Sequence, residues 1–182
     1  MRDVWVQWGH VLVAWAIAVP ITVAGAAVLL RWRLRRGSPR AEALRHTVSE
    51  AAIALGTLPW IWMILTPVDG KAAVLLVPLR DLVQTLSDTP TRAVVQIVPN
   101  LIVFLPLGFF LPLRVPRLAN VWTMVALGAV LSASLEFAQY AFRLGRFSSV
   151  DDVLMNAAGA GIGALLSAAY AKRPATAVAD PG

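Results

Sequence analysis

Apolar residues run almost unbroken over positions 8–30, 48–65, 94–113, 122–142 and 153–170, and the charges cluster in the short stretches between. A bilayer's hydrocarbon core is about 30 Å thick, which takes roughly 20 helical residues to cross. Inside it the backbone finds no water to bond with, so each run predicts a helix that satisfies its own N–H and C=O groups. Gly37-Ser38-Pro39 separates the first run from the second, and Pro59 predicts a kink within the second. Trp5 and Trp8 precede the first run, Trp32 follows it, and Trp60 and Trp62 lie near the end of the second, as an interfacial aromatic belt would place them.

One segment, 71–87, breaks the pattern. Leu75, Leu79, Leu82, Val83 and Leu86 recur at helical spacing, while Arg80, Asp81 and Gln84 occupy the other faces. A sixth span would have to bury Arg80 and Asp81, so a short helix in the interface, or a partly re-entrant one, is expected instead. The expected fold class is all-α: a polytopic membrane helix bundle with five transmembrane helices plus a short outer interfacial or re-entrant helix. A single transmembrane helical domain over 1–172 is expected, with 173–182 as a disordered cytoplasmic tail.

Composition agrees with this reading. Charged residues make up 14% of the chain, against about 25% in a soluble domain. There is no cysteine, which excludes disulfides, thiolate zinc and a thiol nucleophile. The two histidines, His10 and His46, lie far apart, which leaves little for a histidine metal site; no metal and no cofactor are expected. The net charge of +6 comes mainly from arginine flanking the apolar runs. That placement speaks for membrane orientation and against nucleic acid. With the N-terminus outside, Arg31 to Arg45, Arg114, Arg117, Lys172 and Arg173 face the cytoplasm. The outer basic residues are then offset by Asp3, Asp69, Asp81, Asp88, Asp151 and Asp152. The first run is too long for a signal peptide's apolar core and Asp3 precedes it, so it is read as a retained anchor.

Ionisable groups inside spans are costly, roughly 2.5–3.5 kcal/mol at mid-bilayer on insertion scales, and so mark functional candidates. Glu136 is the outstanding one. Ser132, Glu136, Gln139, Tyr140 and Arg143 form one polar stripe on an otherwise apolar fourth helix. The bland alternative is a carboxylate satisfied by Arg143 or a neighbouring helix. The fifth helix opens with Ser148-Ser149-Val150-Asp151-Asp152, where Ser149 and Asp151 are read as caps of that helix. Asp152, Asn156, Gly159 and Gly163 continue as a single face, and the Gly159–Gly163 step permits close approach of another helix. Asn100 stands in the third span, and Pro106 and Gly108 are read as bending it. In the N-out topology Asn100, Glu136, Gln139, Asp152 and Asn156 share the outer half of the membrane. A single site is therefore expected, with Glu136 in hydrogen-bond reach of Asn156 or Asn100, directly or through one water, in a pocket open toward the outer leaflet. Arg143 and Arg146 either pair with the nearby acids or hold a phosphate. No P-loop, GxSxG, HExxH or dinucleotide motif is present.

Residues 100–170 resemble the VanZ-like family of bacterial membrane proteins. The likeness is carried by Asn100 leading into Phe104-Leu105-Pro106-Leu107-Gly108-Phe109, by Ser132-x-x-x-Glu136-x-x-Gln139, and by Arg146 followed by Asp151-Asp152-x-x-x-Asn156-x-x-Gly159. The chain departs from many members at Ser148-Ser149, where an acid is often found, which speaks against a metal in that loop. The resemblance implies a multi-pass protein of the bacterial plasma membrane. It also implies a role in lowering susceptibility to teicoplanin-like lipoglycopeptides.

The leading functional expectation is engagement of a lipid-linked or lipidated ligand at the outer leaflet. The ligand-binding candidates are Asn100, Glu136, Gln139, Arg143, Arg146, Asp152 and Asn156. Expected partners are membrane lipids and a lipoglycopeptide or lipid-linked cell-wall precursor, with no nucleic acid. The alternative is an intramembrane enzyme acting on an envelope lipid intermediate with Glu136 as general acid or base. A transporter fits less well, because five helices without inverted repeats offer no alternating-access frame.

Overall fold

A backbone that must satisfy itself in lipid winds into helices, and the apolar runs do so. The computed structural model describes residues 2–70, 73–75, 77–88 and 90–172. Along the chain stand α1 (Arg2–Arg35), α2 (Arg40–Leu65), β1 (Ala73–Leu75), α3 (Arg80–Asp88), α4 (Pro90–Arg114), α5 (Val121–Ala141), β2 (Phe147–Ser149) and α6 (Val150–Ala171). All but α3 among these helices are long and apolar enough to cross a membrane. The chain is a multi-pass membrane helix bundle. The expected tail, 173–182, and the side chains of Trp5, Trp8, His10 and Asp81 lie outside the described residues.

Two boundaries differ instructively from the hydropathy reading. Helix α2 starts at Arg40 rather than 48, because Arg40-Ala-Glu-Ala-Leu-Arg is made of strong helix formers and Pro39 stands just before it. The helical reading of 71–87 holds only from Arg80. Leu75, placed on the same helical face as Leu79, belongs instead to β1, which pairs in parallel with β2, Leu75 opposite Ser149. Helix α3 keeps the amphipathic pattern, with Val83 and Leu86 exposed on one side.

Helix α6 is the centre of the bundle. Half of its most apolar stretch is buried, whereas none of that of α1 is. In lipid there is little hydrophobic drive between helices, so close packing of small residues supplies the association. A Cβ on Gly159 would meet the backbone of Leu101, one on Gly163 that of Leu105 and Phe109, and one on Gly108 that of Ala160, all within 3.0 Å. Helices α4 and α6 therefore touch main chain to main chain. Around this seam Val103, Phe104 and Leu107 of α4, Met124 of α5, and Ala160 and Ala164 of α6 form the core.

At the end opposite the β-ribbon, three helices are tied by charge. Arg33 Nη2 lies 2.7 Å from each oxygen of Glu50, and its Nη1 donates to Thr47 Oγ1 at 2.6 Å. Arg114 Nε donates to Glu50 Oε1 at 2.6 Å. Glu50 thus holds α1 and α4 to α2, a tie the hydropathy reading missed. The signal lay in the sequence: one acid within the apolar run 48–65, whose neighbouring runs are followed by arginines.

Candidate functional site

The polar candidates gather where the β-ribbon meets the first turn of α6. Ser149 is extended there, and its Oγ accepts the Asp151 N–H at 3.2 Å, capping α6 as Ser at an N-cap does. Asp151 does not cap its own helix as the sequence reading held. Buried to 1% exposure, its carboxylate turns to α3 and accepts the backbone N–H groups of Leu79 and Leu82. Leu79 is the residue just before α3 and Leu82 lies in its first turn, so both donors stand at the positive end of its dipole. Leu79 sits at φ 64°, a region that leucine rarely adopts, and is held there by this bond.

The next residue, Asp152, faces α4. Asn100 Nδ2 donates to Asp152 Oδ1 at 2.7 Å and to the Gln96 carbonyl at 3.1 Å. The pair lies in a cleft of about 500 Å3 lined by Leu75, Gln96, Pro99, Asn100, Phe147, Ser149 and Asp152. One turn deeper, Asn156 Nδ2 donates to Ser132 Oγ at 2.8 Å. Both residues are almost fully buried, and Asn156 Oδ1 has no partner among the described residues.

Glu136 occupies an adjoining space. Its Oε2 accepts the Ser149 N–H at 3.1 Å, and its backbone carbonyl accepts from Ser148 Oγ at 2.9 Å. The side chain opens on a groove of about 220 Å3 between α5, α6 and β1. The direct Glu136 bond to Asn156 or Asn100 expected from the sequence is not made: Asn156 bonds Ser132, Asn100 bonds Asp152, and Ser149 connects the two spaces. Depth along a helix is readable from sequence, but rotation about its axis is set by packing, and here it turns Glu136 toward the β-ribbon.

The remaining candidates stand apart. Gln139 Nε2 donates to the Ile64 carbonyl at 3.0 Å. Arg146 donates from Nε to Thr66 O at 3.2 Å and from Nη2 to Met63 O at 3.0 Å. These bonds cap the C-terminal carbonyls of α2, where a cation is favoured. Burial pushes the Arg146 pKa down from its ordinary value and the charge of Glu136 pushes it up. With two of its nitrogens bound to these carbonyls, Arg146 is poorly placed for a phosphate. Arg143 is exposed on the turn after α5, at φ 51°. Gln96 lines the cleft but was not singled out by sequence; its position four residues before Asn100, on one helix face, was the available signal. Among the described residues no group of three His, Asp or Glu side chains could hold a metal ion.

The model of the VanZ/LLP1 family matches residues 52–171. The match runs from within α2 to the end of α6, covering the cleft, the groove and the α4–α6 seam. No curated protein and no solved structure matches the chain.

Proposed function

Starting from the chain's membership of the VanZ/LLP1 family, we propose that this membrane protein engages a lipid-linked or lipidated ligand at the cleft between α4 and α6. The observation that carries the reading is the Asn100–Asp152 pair, a charge-assisted bond at 2.7 Å lining an open cleft at one end of an apolar bundle. Polar groups at that end meet a ligand's head, and the apolar helix faces below receive its chain. Among such ligands, acylated glycopeptides of the teicoplanin type and lipid-linked wall precursors share this division into polar head and apolar tail.

The reading requires the ribbon end to face outward. The basic residues at the opposite end, Arg31 to Arg45 with Arg114 and Arg117, favour that orientation in a bacterial plasma membrane. Ser38, in the turn between α1 and α2, tests it, because the chain contains no cysteine. A Ser38→Cys variant is expected to react with an impermeant maleimide only after the cells are permeabilised. Labelling in intact cells would reverse the topology.

The ligand assignment is tested in a susceptible host. Expression of the chain is expected to lower susceptibility to an acylated glycopeptide but not to one lacking the acyl chain. Asn100→Leu and Asp152→Asn each take from the cleft a polar or charged group that meets the ligand's head. A hydrogen bond between ligand and a charged group is worth about 1.5–3 kcal/mol, so affinity should fall roughly tenfold or more. Membrane abundance should be unchanged. Full protection by both variants would remove the cleft from the function.

A further inference from the structure

The groove beside the cleft is lined by an acid, two aromatic rings and otherwise small or aliphatic side chains. Glu136 and Tyr140 stand one turn apart on α5 with Phe137 next to them, so the three share a side of the helix. The far wall of the groove is aliphatic, built from Val74 of β1 and Val150 and Val153 of α6. Phe137 is 71% exposed and Tyr140 53%, which turns both side chains toward whatever surrounds the bundle. Glu136 makes no ion pair among the described residues. The nearby cation, Arg146, is bonded to carbonyls of α2. Toward the bilayer centre the groove passes Ala133, whose small side chain leaves room along the α5–α6 seam.

We propose that this groove binds a membrane lipid whose head carries a primary ammonium. The ammonium rests on the Glu136 carboxylate between Phe137 and Tyr140, and an acyl chain lies past Ala133 and Val153. A carboxylate and the faces of aromatic rings are the side-chain surfaces that attract a cation, most strongly where water is scarce. A primary ammonium also donates hydrogen bonds to the carboxylate, which a quaternary one cannot. An anionic or glycerol head would set its phosphate near Glu136 with no cation of its own to lie between the two charges. Glu136 stands five residues before the end of α5 at Ala141, which puts it about 7–8 Å below that end at 1.5 Å per residue. The 21 residues of α5 span about the thickness of the hydrocarbon core, so Glu136 lies in the upper chain region and the head must dip below the interface to reach it. The proposal stands apart from the cleft reading, since it rests on other residues and asks for a bulk lipid rather than a rare ligand.

Native mass spectrometry of the full chain tests it. The protein is mixed with phosphatidylethanolamine, phosphatidylcholine or phosphatidylglycerol of identical chains, or with water-soluble glycerophosphoethanolamine. Phosphatidylethanolamine should bind about tenfold more tightly than phosphatidylglycerol, with phosphatidylcholine between them, and the soluble head should not be retained. Glu136→Gln should erase the preference, and Phe137→Leu and Tyr140→Leu should each reduce it roughly twofold to fivefold. The two aromatic positions are exposed, so those variants keep the question open to measurement even where Glu136→Gln fails to accumulate. Equal binding of phosphatidylglycerol, or an undiminished preference in all three variants, overturns the site. Phosphatidylcholine binding as tightly as phosphatidylethanolamine overturns the primary-ammonium assignment. Equal retention of the soluble head overturns the role of the chain.

Discussion

Gly159→Ala should destabilise the bundle by about 3 kcal/mol or more, the upper range of overpacking costs. The added methyl would press on the backbone of Leu101, and Gly163→Ala on the backbone of Leu105 and Phe109. Neither obstacle is the flexible end of a side chain, so α4 and α6 must separate to make room. Separation loosens the core of Val103, Phe104, Met124 and Ala160 that flanks the seam. Gly25 in α1 is the internal control, because a Cβ there meets nothing within 4 Å. Replacing it with alanine exchanges a poor helix former for the best one, so Gly25→Ala should be neutral or slightly stabilising. Thermal unfolding of the purified variants, followed by size-exclusion chromatography after heating, separates the two outcomes. A Gly159→Ala protein as heat-resistant as Gly25→Ala would mean that the seam is far looser than its geometry indicates.

The second large effect is local. Asp151→Ala should release α3 while leaving the five long helices in place. The carboxylate is 1% exposed and accepts two backbone N–H groups, from Leu79 and Leu82. Removing it orphans both donors at about 1–3 kcal/mol each. It also removes the bond that holds Leu79 at positive φ, a conformation that itself costs about 1–3 kcal/mol. A nine-residue helix has little stability of its own to set against that loss. Hydrogen exchange should therefore rise sharply across 79–88 and stay low in α4 and α6. Asp151→Asn, which keeps one acceptor oxygen, should fall between wild type and alanine. Unchanged protection of α3 in Asp151→Ala would show that packing alone holds it.

What the sequence revealed and what it hid divide along one physical line. Features that depend on order along one helix were legible. The apolar runs marked the membrane helices, and the Gly159–Gly163 step marked a close approach, because spacing on a helix fixes which residues share a face. Asn100 and Asp152 could be put at one depth, since rise per residue is constant. What could not be read was each helix's rotation against its neighbours. That rotation gives Asn156 to Ser132, turns Glu136 toward the Ser149 backbone, and commits Gln139 and Arg146 to the end of α2. The capping of α3 by Asp151, about 70 positions away in sequence, is equally a product of tertiary packing. Glu50 escaped for a simpler reason. It stands two residues inside the apolar run that begins at 48, where charges commonly flank a span, and order along the chain does not show that the ends of α1 and α4 converge on it.

That knot bears on how the protein enters the membrane. Helix α1 leaves the ribosome before the other four long helices, and with none of its apolar stretch buried in the bundle it can settle among lipids ahead of them. Its last turns carry Arg33 into the bilayer's edge, so when α2 follows, Glu50 arrives beside a waiting guanidinium rather than bare hydrocarbon. An acid that would resist insertion alone is thus drawn in by the helix made just before it. Arg114, synthesised 64 residues later, meets a carboxylate already in place and brings α4 to its position. The order of synthesis is thus one in which each of these charges meets its partner, from the most weakly packed helix inward.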